Sequence, residues 1–324
     1  MVFLYLPMRN AIIFPQVKGS LTPTLLTLLL TLGMVGGCGR ATETRLIDLA
    51  IVGTHDAAAF SASPQLRCQD LTLEEQLEVG VRAFDLRLVD RYDGSGCLDL
   101  YHGEESLGLE FTKEVLPLFT QFLPAHPDEF VILSLRKEDD ERHSQEEMKA
   151  YSQSLQRALE RPEVARLLYR GQLTRETKVS EVRGKLLILL RTRINEDVCL
   201  PYFDGFQDDI TFVARLVNPC GGTLDLLVED EYIVSDTFDM SDKKVALTEV
   251  LDYAEVMPDH WLIAYLSGTG NATPEEVAEE INPYAYRLLQ ERKSLPGGIY
   301  FVDFAGMPEA LAIMTLCKKK NSKI

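Results

Sequence analysis

Five histidines occur in the 324-residue chain, His55, His102, His126, His143 and His260, and their settings differ. His126 stands in Pro124-Ala125-His126-Pro127 and His143 in a charged run, which suits a solvated loop and a helix face. His260 precedes Trp261 at the start of an apolar run and reads as structural. His55, in Gly53-Thr54-His55-Asp56, and His102, in Leu100-Tyr101-His102-Gly103, remain as candidates for proton transfer, although a histidine next to an aspartate can also cap a turn. Cleaving a phosphodiester requires a base for the attacking hydroxyl, an acid for the leaving oxygen and a cation facing the nonbridging oxygens. Two imidazoles and one arginine supply all three, and Asp85-Leu86-Arg87 lies between the two histidines.

These groups need a scaffold. From Ile47 onward, short apolar runs alternate with helical patterns: Leu49–Gly53, Val81–Arg87, Phe130–Leu135, Lys185–Leu190, Leu224–Val228, Trp261–Leu266 and Ile299–Phe304 read as strands. Most are nearly continuous in apolar residues, as strands covered on both faces are. Helices are expected over Thr72–Val79, Leu109–Phe122, Ser144–Tyr169, Ser241–Val256, Thr273–Gln290 and Pro308–Lys318, with Pro274, Glu275 and Glu276 suited to a helix start. This order predicts an α/β chain with a parallel sheet, either a single distorted (β/α) TIM-like barrel over residues 45–324 or a doubly wound open sheet. A turn-rich Asp93-Gly94-Ser95-Gly96 segment predicts a hairpin carrying Tyr101-His102. Barrel sites form at the C-terminal ends of strands. Polar residues follow the runs there: His55-Asp56, Asp85 and Arg87, Arg136-Lys137-Glu138, Arg191, Asp230 and Tyr232, and Asp303.

Composition narrows the partners. With 46% hydrophobic and 26% charged residues the chain is of ordinary globular make-up, and its formal net charge is −17. Nucleic acid would be repelled over most of such a surface. Residues 1–40 read as an export signal: Arg9 and Lys18, an apolar run from Leu21 to Leu32, then small residues before Cys38. Val35-Gly36-Gly37-Cys38 resembles a lipobox, so the mature protein is either lipid-anchored through Cys38 or released by ordinary cleavage. Export predicts a secreted or extracytoplasmic protein. In that compartment Cys68 with Cys97, and Cys199 with Cys220, are the plausible local disulfides, the alternative being buried thiols. No cysteine or histidine spacing suits a structural zinc site.

Four segments, Ile51-Val52-Gly53-Thr54-His55-Asp56, Arg82-Ala83-Phe84-Asp85-Leu86-Arg87, Leu100-Tyr101-His102-Gly103 and Phe130-Val131-Ile132-Leu133-Ser134-Leu135-Arg136-Lys137-Glu138, closely resemble in order and spacing the X domain of the bacterial phosphatidylinositol-specific phospholipases C. Weaker similarity continues through Leu189-Leu190-Arg191, Val228–Tyr232 and Val302-Asp303. The resemblance implies a distorted barrel that cleaves an inositol phosphodiester to diacylglycerol and a cyclic inositol phosphate. His55 would be the general base for the inositol 2-hydroxyl, with Asp303 bonded to it. His102 would protonate the leaving oxygen with support from Asp56 and Asp85, and Arg87 would face the phosphate. Lys137, Arg191, Asp230 and Tyr232 match the family's inositol pocket; for each the alternative is a salt bridge or core packing, and Arg193 competes with Arg191 for its role. An arginine in Asp85-x-Arg87, where calcium-dependent relatives carry carboxylates, implies no metal and no cofactor.

The implied partner is an inositol phospholipid or GPI-type substrate met at a membrane surface by a monomer. Here the resemblance thins, because the single tryptophan, Trp261, starts an apolar strand, and the segment after the first motif offers only Phe60 and Leu66 as apolar inserts. Two other readings fit the same barrel: a non-catalytic inositol-lipid or glycan binding protein, and a phosphodiesterase for another head group.

Overall fold

A computed structural model describes residues 43–138, 144–194, 199–235 and 240–323. The export signal, Cys38 and His143 lie outside the described residues. The residues from Glu43 onward form one compact unit. Its described residues hold thirteen strands: β1 (Ala50–Thr54), β2 (Ala83–Asp90), β3 (Leu98–His102), β4 (Glu105–Glu110), β5 (Val131–Lys137), β6 (Leu186–Leu190), β7 (Tyr202–Asp204), β8 (Thr211–Val217), β9 (Thr223–Glu229), β10 (Ile233–Val234), β11 (Trp261–Tyr265), β12 (Thr269–Gly270) and β13 (Gly298–Val302).

Eleven of them share one sheet in the order β1-β13-β11-β9-β8-β7-β6-β5-β2-β3-β4, and β1 also pairs with β2. That extra pairing closes a ring, leaving β3 and β4 as a hairpin hung outside it. The barrel expected from the alternation is therefore present and the open sheet is not. It is distorted where β8 runs antiparallel to both of its neighbours. The strands β7 and β8 were not expected. Thr211-Phe212-Val213-Ala214-Arg215-Leu216-Val217 alternates buried and exposed positions, the pattern of a half-covered antiparallel strand, whereas β1, β6, β11 and β13 are buried throughout.

Helices cover the ring. Residues Leu73–Val79, Gln145–Leu159 and Pro274–Glu291 begin with capping boxes, in which Thr72, Ser144 and Thr273 each pair with a glutamate three residues on. The strand faces then sort by period two. One face packs outward on the helices: Val52, Phe84, Val131, Leu133, Leu135, Leu227, Leu262 and Tyr300 belong to that outer core. The other fills the barrel: Ile51, Ala83, Ile132, Leu187, Leu189, Val228, Trp261, Ile263, Tyr265, Ile299 and Phe301. Within the barrel Gly53 has no alternative, since a Cβ there would meet the Phe301 ring at 2.6 Å and the Ala83 Cβ at 3.0 Å.

Of the two expected disulfides, Cys199–Cys220 forms, with a Cα–Cα distance of 5.9 Å. Cys68 and Cys97 are free thiols. The Cys68 Sγ lies 4.0 Å from Nδ1 of His102 at the far end of β3, and Cys97 precedes that strand. Five extended residues at about 3.4 Å each carry Cys97 roughly 17 Å away, far beyond what a disulfide spans.

Candidate active site

Extending the inward face of each strand beyond its apolar part reaches the polar residues. Ile51 and Gly53 lead to His55, Ala83 to Asp85 and Arg87, Ile132 and Ser134 to Arg136, Leu187 and Leu189 to Arg191, Val228 to Asp230, and Ile299 and Phe301 to Asp303. Parallel register keeps them level: Asp85 pairs with Ser134 and Arg87 with Arg136 across β2 and β5. His55, Arg87, His102, Arg136, Arg191, Asp230 and Tyr232 all line one cavity of about 430 Å³ at this end. Beneath it, Gln69 Nε2 donates to the carbonyls of His55 and Val302 at 2.8 and 3.0 Å, fixing the ends of two strands.

The adjacent residues His55 and Asp56 would face opposite ways in a strand. Asp56 instead adopts a left-handed φ of 39°, a conformation aspartate tolerates better than most residues. The turn brings its carboxylate back beside His55. Oδ2 of Asp56 lies 3.4 Å from Nε2 of His55 and 3.2 Å from Nε2 of His102, while Oδ1 forms an ion pair with Arg87, 2.8 Å from its Nε. Nδ1 of His55 meets Oδ1 of Asp303 at 3.0 Å, and Nη2 of Arg87 meets Nε2 of His55 at 3.0 Å. The ring of His102 is fixed by Nδ1 donating to the Leu66 carbonyl at 2.7 Å.

Two donors cannot share one imidazole nitrogen without a lone pair, so the Arg87 contact selects a neutral His55 with its proton on Nδ1, toward Asp303. Burial, and then the charges of Arg87, His102 and Arg191, lower the His55 pKa well below its ordinary value. The Asp303 carboxyl is raised well above its usual range by burial and by Asp56, against the pull of Arg87. Burial pushes Asp56 up to about 6 in spite of Arg87 and His102. For Arg87 itself burial opposes the charge, and Asp56, Glu138 and Asp85 outweigh it and raise the pKa. The result is a neutral imidazole whose Nε2 lone pair is held by Arg87, a second imidazole 3.2 Å from the Asp56 carboxylate, and a fixed cation between them.

Not every expected residue is where the motifs suggested. Asp85 is paired through Oδ2 with Nη1 of Arg191 at 3.3 Å, and Asp56 is the carboxylate beside His102. Lys137 is fully buried on the outward face of β5, with Nζ 5.9 Å from the ring centroids of Tyr92 and Tyr151. Its parity is that of Leu133 and Leu135, so it points at the helix layer. The cavity position belongs to Arg136, whose Nη1 lies 3.7 Å from Asp208 Oδ1. Counting in twos from Ile132 would have found it.

Arg191 stacks on Phe206, with 4.2 Å from its guanidinium carbon to the ring centroid, and reaches Asp208 at 3.8 Å. Asp230 is raised to about 6 by burial against the pull of Arg191 and Lys243. Tyr232 is held by its backbone N–H on Asp209 Oδ1 at 3.0 Å. Glu138, the last residue of the fourth motif and given no role there, accepts from Arg87 Nη1 at 3.1 Å and from the Gly103 N–H at 2.5 Å, tying β5 to the hairpin that carries His102.

Residues 50–192 match the family described as phosphatidylinositol-specific phospholipase C, X domain. A curated relative, the 1-phosphatidylinositol phosphodiesterase of Listeria monocytogenes, is 33% identical over 108 residues, covering 31% of this chain and 32% of the relative. The match thus spans about a third of that relative's length. The phosphatidylinositol-specific phospholipase C of Listeria monocytogenes superposes with a TM-score of 0.63 at 20% identity, covering 86% of this chain and 96% of that one. The Staphylococcus aureus enzyme, in a structure concerned with modulation of its membrane binding, gives a TM-score of 0.69 at 21% identity, covering 86% and 95%. Residues 50–192 are thus similar to the phosphatidylinositol-specific phospholipase C X domain, and the barrel as a whole has the fold of these bacterial structures.

Proposed function

We propose that the protein is a phosphodiesterase of the phospholipase C type that acts on phosphatidylinositol or a GPI-type inositol phosphodiester and needs no metal. The observation that supports this most is the neutral His55, with Nε2 facing the cavity, set beside His102 and Arg87. His55 takes the proton of the inositol 2-hydroxyl, whose oxygen attacks its own phosphorus. Because nucleophile and phosphate belong to one molecule, orientation lowers the barrier by several kcal/mol. Arg87 turns its forked donors to the nonbridging oxygens, and its Nη2 leaves His55 when the phosphate arrives. His102, with Nδ1 held by Leu66 and Nε2 facing Asp56, gives a proton to the departing diacylglycerol oxygen. The products are diacylglycerol and a cyclic inositol phosphate.

Arg136, Arg191, Asp230 and Tyr232 surround the remainder of the cavity and offer charge and a hydroxyl to the ring of a polyol. The lipid surface on which the substrate sits follows by extension from the membrane binding named for the Staphylococcus aureus enzyme. Export through residues 1–40, with or without a lipid on Cys38, belongs to the same proposal and is read from the mass of the mature N-terminus.

The test is incubation with phosphatidylinositol and, separately, phosphatidylcholine, with and without EDTA, following phosphorus NMR. A cyclic inositol phosphate signal from the inositol lipid alone, undiminished by EDTA, is expected. Equal turnover of the choline lipid would remove inositol specificity, and absence of any product would leave an inositol-lipid binding protein.

A further inference from the structure

One side chain at the base of the cavity has no part in the chemistry above. Cys68 is 1% exposed, lines the cavity, and its Sγ points to the Leu66 carbonyl at 3.6 Å and to His102 Nδ1 at 4.0 Å. Burial, then the charges of Asp303 and Asp56, raise its pKa well above that of an ordinary thiol, so it is a protonated, unreactive group in the resting protein. Its neighbours change what it can do. One ligand atom from each of His55, Asp56 and Cys68 lies within 4.8 Å of the others.

Oδ2 of Asp56, on a residue 2% exposed, accepts no hydrogen bond although both imidazoles lie beside it. Its distances to His55 Nε2 and His102 Nε2 are 3.4 and 3.2 Å. In a tetrahedral zinc site with Zn–N and Zn–O bonds near 2.0–2.1 Å, two such ligands stand about 3.4 Å apart. Nitrogen and carboxylate are thus already spaced as two ligands of one small cation, with a thiol within reach for a third.

We propose that the catalytic centre is also an inhibitory site for a thiophilic divalent cation such as Zn2+, ligated by Nε2 of His55, Oδ2 of Asp56 and Sγ of Cys68. On binding, the Cys68 S–H bond breaks, its proton passes to solvent and the sulfur lone pair goes to the metal. The cation occupies the His55 lone pair that otherwise takes the substrate proton. Arg87 Nη2 has to withdraw from His55, and its positive charge opposes the metal, so binding is weaker than at a structural zinc site. A hard cation such as Ca2+ or Mg2+ gains nothing from sulfur and is excluded.

The test uses the intact protein and two readouts. Zn2+ should abolish turnover of a soluble inositol phosphodiester, with full recovery on EDTA. Cys68→Ser and Cys68→Ala should keep the zinc-free rate and need roughly 10-fold or more zinc for half inhibition, the scale on which loss of a coordination partner acts. Cys97→Ser should behave as wild type. Added Co2+ should produce a sulfur-to-cobalt charge-transfer band in the near ultraviolet that is lost in Cys68→Ala. This spectrum reads the site whether or not the protein turns over inositol lipid. Equal zinc sensitivity in wild type and both Cys68 variants, or a cobalt spectrum without the sulfur band, overturns the proposal.

Discussion

Nη2 of Arg87 lies 3.0 Å from Nε2 of His55, so the cation of the centre rests on the lone pair of its base. This contact favours a neutral His55 with its proton on Nδ1 and fills the space beside Nε2. It also gives the two imidazoles different surroundings, one held by Arg87 and Asp303, the other by Leu66 and Asp56.

Removing either imidazole separates those roles. His55→Ala and His102→Ala should each lower kcat on a soluble cyclisable substrate by roughly 10² to 10⁴. Restoring the leaving-group step with a substrate whose leaving group needs no proton should rescue His102→Ala and not His55→Ala. Rescue of both by that substrate, or of neither, contradicts the assignment of acid and base.

On the proposed mechanism Arg87 supplies the positive charge that faces the phosphate. Arg87→Met should cost about 10² to 10³ in kcat, the usual effect of one preorganised donor facing developing charge. Wild-type activity should be insensitive to calcium and to EDTA; a requirement for calcium in the wild type sinks the arginine-for-metal argument.

Arg136 and Lys137 are neighbours with opposite directions. Arg136→Met should reduce kcat/KM by roughly 10-fold or more, as loss of a charged hydrogen bond does, whereas Lys137→Met should leave KM near that of wild type because its side chain lies among Tyr92 and Tyr151. The reverse pattern in steady-state kinetics on the same substrate would falsify the reading of β5.

Burial of acids makes the fold sensitive to pH in a defined direction. Glu229, paired with Lys243 Nζ at 2.7 Å, is raised to about 7 by burial against Lys243, and Asp56 and Asp230 to about 6. Unfolded carboxyls titrate near 4, so between about pH 4 and 7 the native state holds more protons and its stability falls as pH rises. Urea midpoints should drop from pH 5 to pH 8, and Asp230→Asn should flatten that slope. A midpoint that rises over this range refutes the raised values. At pH 8, Lys243→Met should cost about 3–5 kcal/mol, since it leaves Glu229 buried without its partner.

The sequence by itself determined the alternation of strands and helices, the strand ends that bear polar residues, and the histidines, aspartates and arginine brought together there, because strand periodicity and short motifs are local properties of the chain; a closed barrel rather than an open sheet was decided by the pairing of β1 with β2. It left undecided which way a polar residue at a strand end points, and this is why Lys137 stood for Arg136 until parity with the lumen residues was visible. The antiparallel β8 escaped a reading tuned to continuous apolar runs. Three relationships came only from the tertiary structure: Asp56 turned back by its left-handed backbone, Asp85 taken by Arg191 from two strands away, and Cys68 placed beside His102 rather than against Cys97. The last two join residues distant in the chain, which only strand pairing and the hairpin carrying His102 bring together.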